Sequence, residues 1–247
     1  MVRASLTLAA HPLAGEPLAA SVEPPSQVLV VAAGILALLI TVIGWPLLTH
    51  VIAIAHEGGH ATAASVSGGR VVAVRLERSG NGRTDFAAGK GQSTLAFIGS
   101  AGYIGPSVFG VLGSFLLVKG QVEAILWASL VLVGILLLNV ANPFGWFSSL
   151  LTGIVLFLVA RYAPDAPQTL FAVTWVWFLL FGGYGDVLGL RKVRRALRAA
   201  KKRDEETDAG ILGKQTWVPA PIWVALFWLG AVAGLLLGAG IMLGMVV

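Results

Sequence analysis

From position 27 to position 67 the chain carries almost only apolar and small residues, interrupted by His50, His56, Glu57 and His60. As one helix this run would be about 60 Å long, twice the roughly 30 Å hydrocarbon core of a bilayer. The segment therefore belongs in a membrane, and it is too long for a single simple span. Proline lacks an amide hydrogen and pushes the residue before it out of the helical region, so Gly44-Trp45-Pro46 is the expected break. Two spans follow from that reading, 28–43 and 46–67.

Further apolar windows at 94–118, 122–140, 143–162, 168–186 and 217–243 are long enough to cross a bilayer. With 57% hydrophobic and only 12% charged residues, no separate soluble domain fits between them. The expected fold is an all-α polytopic membrane protein of about six to seven transmembrane helices. The polar interlude at 70–90 breaks the helical pattern: Val72, Val74 and Leu76 alternate with other residues ahead of a Ser79-Gly80-Asn81-Gly82 turn. It predicts a small β-hairpin at the cytoplasmic surface. Residues 1–27 hold Pro12, Pro17, Pro24 and Pro25 but no apolar run, and are expected to form a loose tail rather than a cleaved signal peptide. Residues 28–247 are expected to form one membrane-embedded domain.

A net charge of +5 would suggest nucleic acid, except that eight Lys and Arg residues crowd into positions 191–203. Beside an apolar span, such a cluster is expected to be a cytoplasmic anchor facing anionic lipid, so the bilayer is the expected partner and nucleic acid is not. With the basic loop 188–215 inside, counting spans puts the hairpin inside as well, where Arg70, Arg75, Arg78, Arg83 and Lys90 outnumber Glu77 and Asp85. The same count puts the amino terminus inside and the carboxyl terminus outside. Multi-pass insertion in a cell membrane is the expected location. Cysteine is absent, so any metal must be held by His, Asp or Glu.

His56-Glu57-Gly58-Gly59-His60 carries the chemistry. Helical positions i and i+4 share a face, so both imidazoles can reach one Zn²⁺ while Glu57 lies close enough to take a proton from its water. Ionisable side chains inside an apolar span are expensive and are functional candidates by default. The bland reading is that they hydrogen-bond to one another or line a transport path. Gly58 and Gly59 each weaken the helix by roughly 1 kcal/mol relative to alanine, which points to another backbone, or a substrate strand, approaching closely.

This core resembles the site-2 protease family of intramembrane zinc metalloproteases, short bacterial members included. The likeness rests on His56-Glu57-Gly58-Gly59-His60-Ala61, Gly68-Gly69 and the hairpin after it, Gly102-Tyr103-Ile104-Gly105-Pro106, and Asn142-Pro143, and extends more loosely to a tail beginning at Asp208-Ala209. It implies a zinc peptidase that cuts transmembrane protein substrates within the bilayer. In typical members the Asn-Pro segment leads into a Leu-Asp-Gly that supplies the third zinc ligand, yet residues 143–160 contain no carboxylate. The candidates are then Asp186, Asp208, Asp165 and His50. Asp186 closes its span on the same side as the His pair and ranks first as metal ligand with His56 and His60; Asp208 follows if the tail folds back. Asp165 falls on the opposite face. His50 is off the ligand face and reads as packing or outer-shell support. Asn142 is the candidate for binding substrate, against the plainer reading of an Asn-Pro turn.

The expected activity is hydrolysis of a peptide bond by zinc-activated water, with Glu57 as general base. The rival expectations are a catalytically inactive membrane scaffold or chaperone of the same fold, and a small transporter.

Overall fold

The computed structural model describes residues 23–87 and 91–246; residues 1–22 of the expected tail and 88–90 of the expected hairpin lie outside them. In chain order the elements are α1 (Gln27–Val66), β1 (Arg70–Leu76), β2 (Gly82–Ala87), α2 (Gln92–Val118), α3 (Val122–Leu137), α4 (Pro143–Tyr162), α5 (Asp165–Ala199), α6 (Asp208–Gln215) and α7 (Ala220–Met242). Among the described residues, α1, α2, α4, α5 and α7 are long and apolar enough to cross a membrane, and α3 is a shorter apolar helix. The helical membrane fold with one small hairpin is thus the one expected from the sequence.

The expected break in the first apolar run does not occur. α1 continues through Pro46 for 40 residues. Proline removes one backbone hydrogen bond, whereas ending the helix in an apolar environment would strand several N–H and C=O groups, so the continuous helix is the less costly solution. The count of crossings changes with it. Gln27 Nε2 donates to the carbonyl of Leu243 at 3.3 Å, so the start of α1 and the end of α7 share one end of the bundle. Counting spans from the sequence, with a break at Pro46, puts the two termini on opposite sides, and the unbroken α1 removes one crossing from that count.

α1 packs chiefly on α2 and α5, α2 also on α7, while α3 and α4 pair with each other. Small residues allow these approaches, as expected where dispersion rather than water exclusion drives association. Gly34 of α1 receives the Trp177 indole of α5 at 3.1 Å from where a Cβ would stand, and Trp177 Nε1 donates to the Val30 carbonyl at 3.0 Å. At the α1–α2 crossing, Gly59 lies directly on the Ala101 carbonyl, and a side chain there would collide with that backbone. Gly58, by contrast, faces open space.

β1 and β2 pair antiparallel, Val71 with Phe86 through Leu76 with Gly82, with an irregularity between Val71 and Ala73. Gly80 turns the chain at φ +83°, a conformation that favours glycine. On the far edge of β1 the α3–α4 connection adds a third rung: Val74 N–H donates to Asn139 O and Ala141 N–H to Val74 O, each at 2.8 Å. Among the described residues no strand pairs with the outer edge of β2. The hairpin does not simply sit beyond the helix end; it folds back along α1. Its turn at Gly80 meets Thr49, 17 residues or about 25 Å before the helix ends at Val66. β2 thereby passes the His-Glu-x-x-His turn.

Candidate metal centre

The helical spacing puts His56, Glu57 and His60 on consecutive turns of α1, and all three are buried. What each imidazole presents is set by its partners. His60 Nδ1 donates to the Ile98 carbonyl of α2 at 2.7 Å; a carbonyl can only accept, so the proton belongs on Nδ1. His56 Nδ1 lies 2.6 Å from Asp186 Oδ2 of α5, which likewise accepts. Both Nε2 atoms are then left as lone-pair donors, and they face each other at 3.1 Å.

A third donor completes the group. Asp208, the first residue of α6, brings Oδ2 to 3.4 Å from His56 Nε2 and 3.6 Å from His60 Nε2. The three ligand atoms of His56, His60 and Asp208 all lie within 4.8 Å of one another. Two lone pairs and a carboxylate thus converge on one space, a donor set that suits a cation. The distances suit zinc, because a tetrahedral shell with bonds of about 2.0–2.1 Å has ligand-to-ligand edges of about 3.3 Å. The space is kept open by Gly102 of α2, where a Cβ would stand against both Nε2 atoms.

Asp186, ranked first from the sequence as third ligand, stands behind His56 on its Nδ1 rather than in the triangle formed with Asp208. Asp165 lies in the first turn of α5, 21 residues or about 30 Å of helix from Asp186, as its expected opposite face requires. His50 packs edge-on against Phe144 with ring centroids 5.0 Å apart, away from the centre. The Tyr103 ring closes one wall, edge-on to His56 at 4.6 Å and stacked on Phe227 at 4.8 Å.

Glu57 is engaged by β2. Thr84 Oγ1 donates to Glu57 Oε2 at 2.6 Å, and Gly82, lacking a side chain, lets the strand lie directly on the carboxylate. Asn142 has both ends of its amide committed: Oδ1 accepts from Leu76 N–H at 3.1 Å and Nδ2 donates to Leu76 O at 2.7 Å. It thus extends the third rung on β1. Thr84, Gly102 and the Ile98 carbonyl had no sequence signal of their own, although Gly102 lies in the Gly-Tyr-Ile-Gly-Pro segment.

Two histidines of a His-Glu-x-x-His helix and a carboxylate from α6 thus converge at metal-binding distances. The model for the Peptidase M50B-like family matches residues 28–238. The chain belongs to the Peptidase M50B-like family. No curated protein and no solved structure matches it. Residues 28–238 of this family member include every residue of the centre, from His56 to Asp208.

Proposed function

We propose that this M50B-like chain is an intramembrane zinc metalloprotease that hydrolyses peptide bonds of transmembrane protein substrates, with His56, His60 and Asp208 holding the metal. The observation that carries this reading is the convergence of His56 Nε2, His60 Nε2 and Asp208 Oδ2 beside Glu57. Zinc bound there would lower the pKa of a water and polarise the scissile carbonyl. Asp186 orients His56 and strengthens it as a donor through Nδ1, the usual role of a carboxylate behind a ligating histidine.

Glu57 is the general base, taking the proton of the attacking water and returning it to the leaving amide nitrogen. Thr84 fixes the carboxylate rotamer through Oε2. A transmembrane substrate must unwind before cleavage because its carbonyls are already hydrogen-bonded within the helix. The outer edge of β2, with which no strand pairs among the described residues, runs past Glu57 and offers main-chain partners to the extended segment. Asn142 serves that step from behind, by holding Leu76 and the hairpin in place, rather than by gripping substrate. With the basic loops facing the cytoplasm, the centre opens nearer that side of a cell membrane.

The test is Glu57→Gln in the purified, reconstituted chain, with zinc content and cleavage of a transmembrane substrate measured separately. Retained zinc with lost cleavage is expected. Undiminished cleavage contradicts the role of Glu57. Solute or proton flux in a chain free of zinc would favour transport instead.

A further inference from the structure

We infer that Arg194, Asp204 and Thr207 form a latch that positions Asp208 in the metal centre. The inference rests on the proposed ligand set. α5 ends at Ala199, and the chain reverses through Lys201 at φ 53°, with Lys202 N–H donating to Leu197 O at 2.9 Å. The returning segment sets Asp204 against Arg194, one turn and a half before the end of α5. The two side chains form an ion pair with 9% and 16% of their surfaces exposed, in contrast to the solvated Arg and Lys residues around them. A buried pair of this kind is demanding to form but strongly favours one geometry once made.

The other oxygen of Asp204 directs the next turn. Oδ1 accepts from Thr207 Oγ1 at 2.7 Å and from Thr207 N–H at 3.3 Å. Thr207 Oγ1 in turn accepts from Gly210 N–H at 3.2 Å, capping α6. Gly210 is bare where a Cβ would meet the Asp204 carboxyl and carbonyl oxygens. The residue after the cap is Asp208, whose carboxylate faces His56 and His60. Leu212, in the second turn of α6, is buried against Gly99 of α2. Asp208 stands on an eight-residue helix whose Ala209 and Leu212 pack against Tyr103, Val187 and Phe227, and the contacts of Arg194, Asp204 and Thr207 fix the first turn of that helix, from which Asp208 projects. Arg194, Asp204 and Thr207 touch no ligand atom of the centre other than through it; they are positioning residues.

Zinc affinity of the purified full-length chain, measured by competition with a chromogenic chelator, tests the latch. Thr207→Val and Asp204→Ala are expected to weaken zinc binding about 10–100-fold, the usual range for residues supporting a ligand. Thr207→Ser keeps the hydroxyl and should bind as the wild type does. Thr207→Val added to Asp208→Asn should weaken binding no further than Asp208→Asn alone, because a residue acting through Asp208 has nothing left to position. A further loss when Thr207→Val is added to Asp208→Asn would show that Thr207 acts other than through Asp208, and would overturn the latch. If Asp208→Asn weakens binding while Thr207→Val and Asp204→Ala do not, the latch is wrong and the ligand set stands. If Asp208→Asn itself leaves zinc affinity unchanged, the ligand set fails and the latch with it.

Discussion

Asp186 and Asp208 approach the same imidazole from opposite sides: Asp186 Oδ2 lies 2.6 Å from Nδ1 of His56, and Asp208 Oδ2 lies 3.4 Å from its Nε2. One carboxylate accepts from Nδ1, and the other faces Nε2 together with His60. Their positions thus differ, where the sequence ranks Asp186 ahead of Asp208 as the third ligand.

Replacing the two should therefore have different consequences. Asp186→Ala is expected to weaken zinc about 10–100-fold while leaving one site per chain at saturating metal. Asp208→Ala removes a donor atom and should weaken zinc more than Asp186→Ala does. Equilibrium dialysis against graded zinc distinguishes them; the reverse order would exchange their roles.

Gly102 gives a steric test. Gly102→Ala puts a methyl group against His60 Nε2 and His56 Nε2, where the metal would sit. Loss of zinc with an unchanged helical circular dichroism spectrum is the expected outcome. Gly134→Ala is the control, since nothing lies within 4 Å of its Cβ position, and it should leave zinc untouched. Full zinc occupancy in Gly102→Ala would place the metal elsewhere.

Asn142→Leu removes two hydrogen bonds to Leu76, each worth about 0.5–1.5 kcal/mol net, and leaves Leu76 N–H and C=O unpaired. Faster amide exchange in β1 and β2, slower substrate cleavage and normal zinc content are expected together. Slow cleavage with unaltered hairpin exchange would point to direct contact with substrate instead.

Thr84→Val retains the shape of the side chain but loses the donor to Glu57 Oε2. A several-fold fall in cleavage rate with unchanged zinc is expected, smaller than the 10²–10⁴-fold attributable to a general base. A loss as large as that of Glu57→Gln would mean that Thr84 does more than orient the carboxylate.

The part of the site that the sequence revealed is the part that is local. His56, Glu57 and His60 lie within five residues, and helical periodicity alone puts them on one face. Choosing between Asp186 and Asp208 required knowing which ring nitrogen each histidine leaves free, and for His60 that is set by the Ile98 carbonyl on another helix. The hairpin was legible from its alternation and turn, but not its depth, which depends on the fit of Gly80 against Thr49 and Gly82 against Glu57. Pro46 misled for a definite reason: its local preference for ending a helix is outweighed in an apolar setting by the backbone hydrogen bonds that a break would expose.

Zinc content of the purified chain, by elemental analysis of the wild type beside Glu57→Gln and the double variant His56→Ala/His60→Ala, tests the central claim most directly. One zinc per chain is expected in the wild type and in Glu57→Gln, with none retained when both histidines are gone. A wild-type chain that takes up no zinc, or a double variant that holds it as well as the wild type, would contradict the metal centre and the protease built on it.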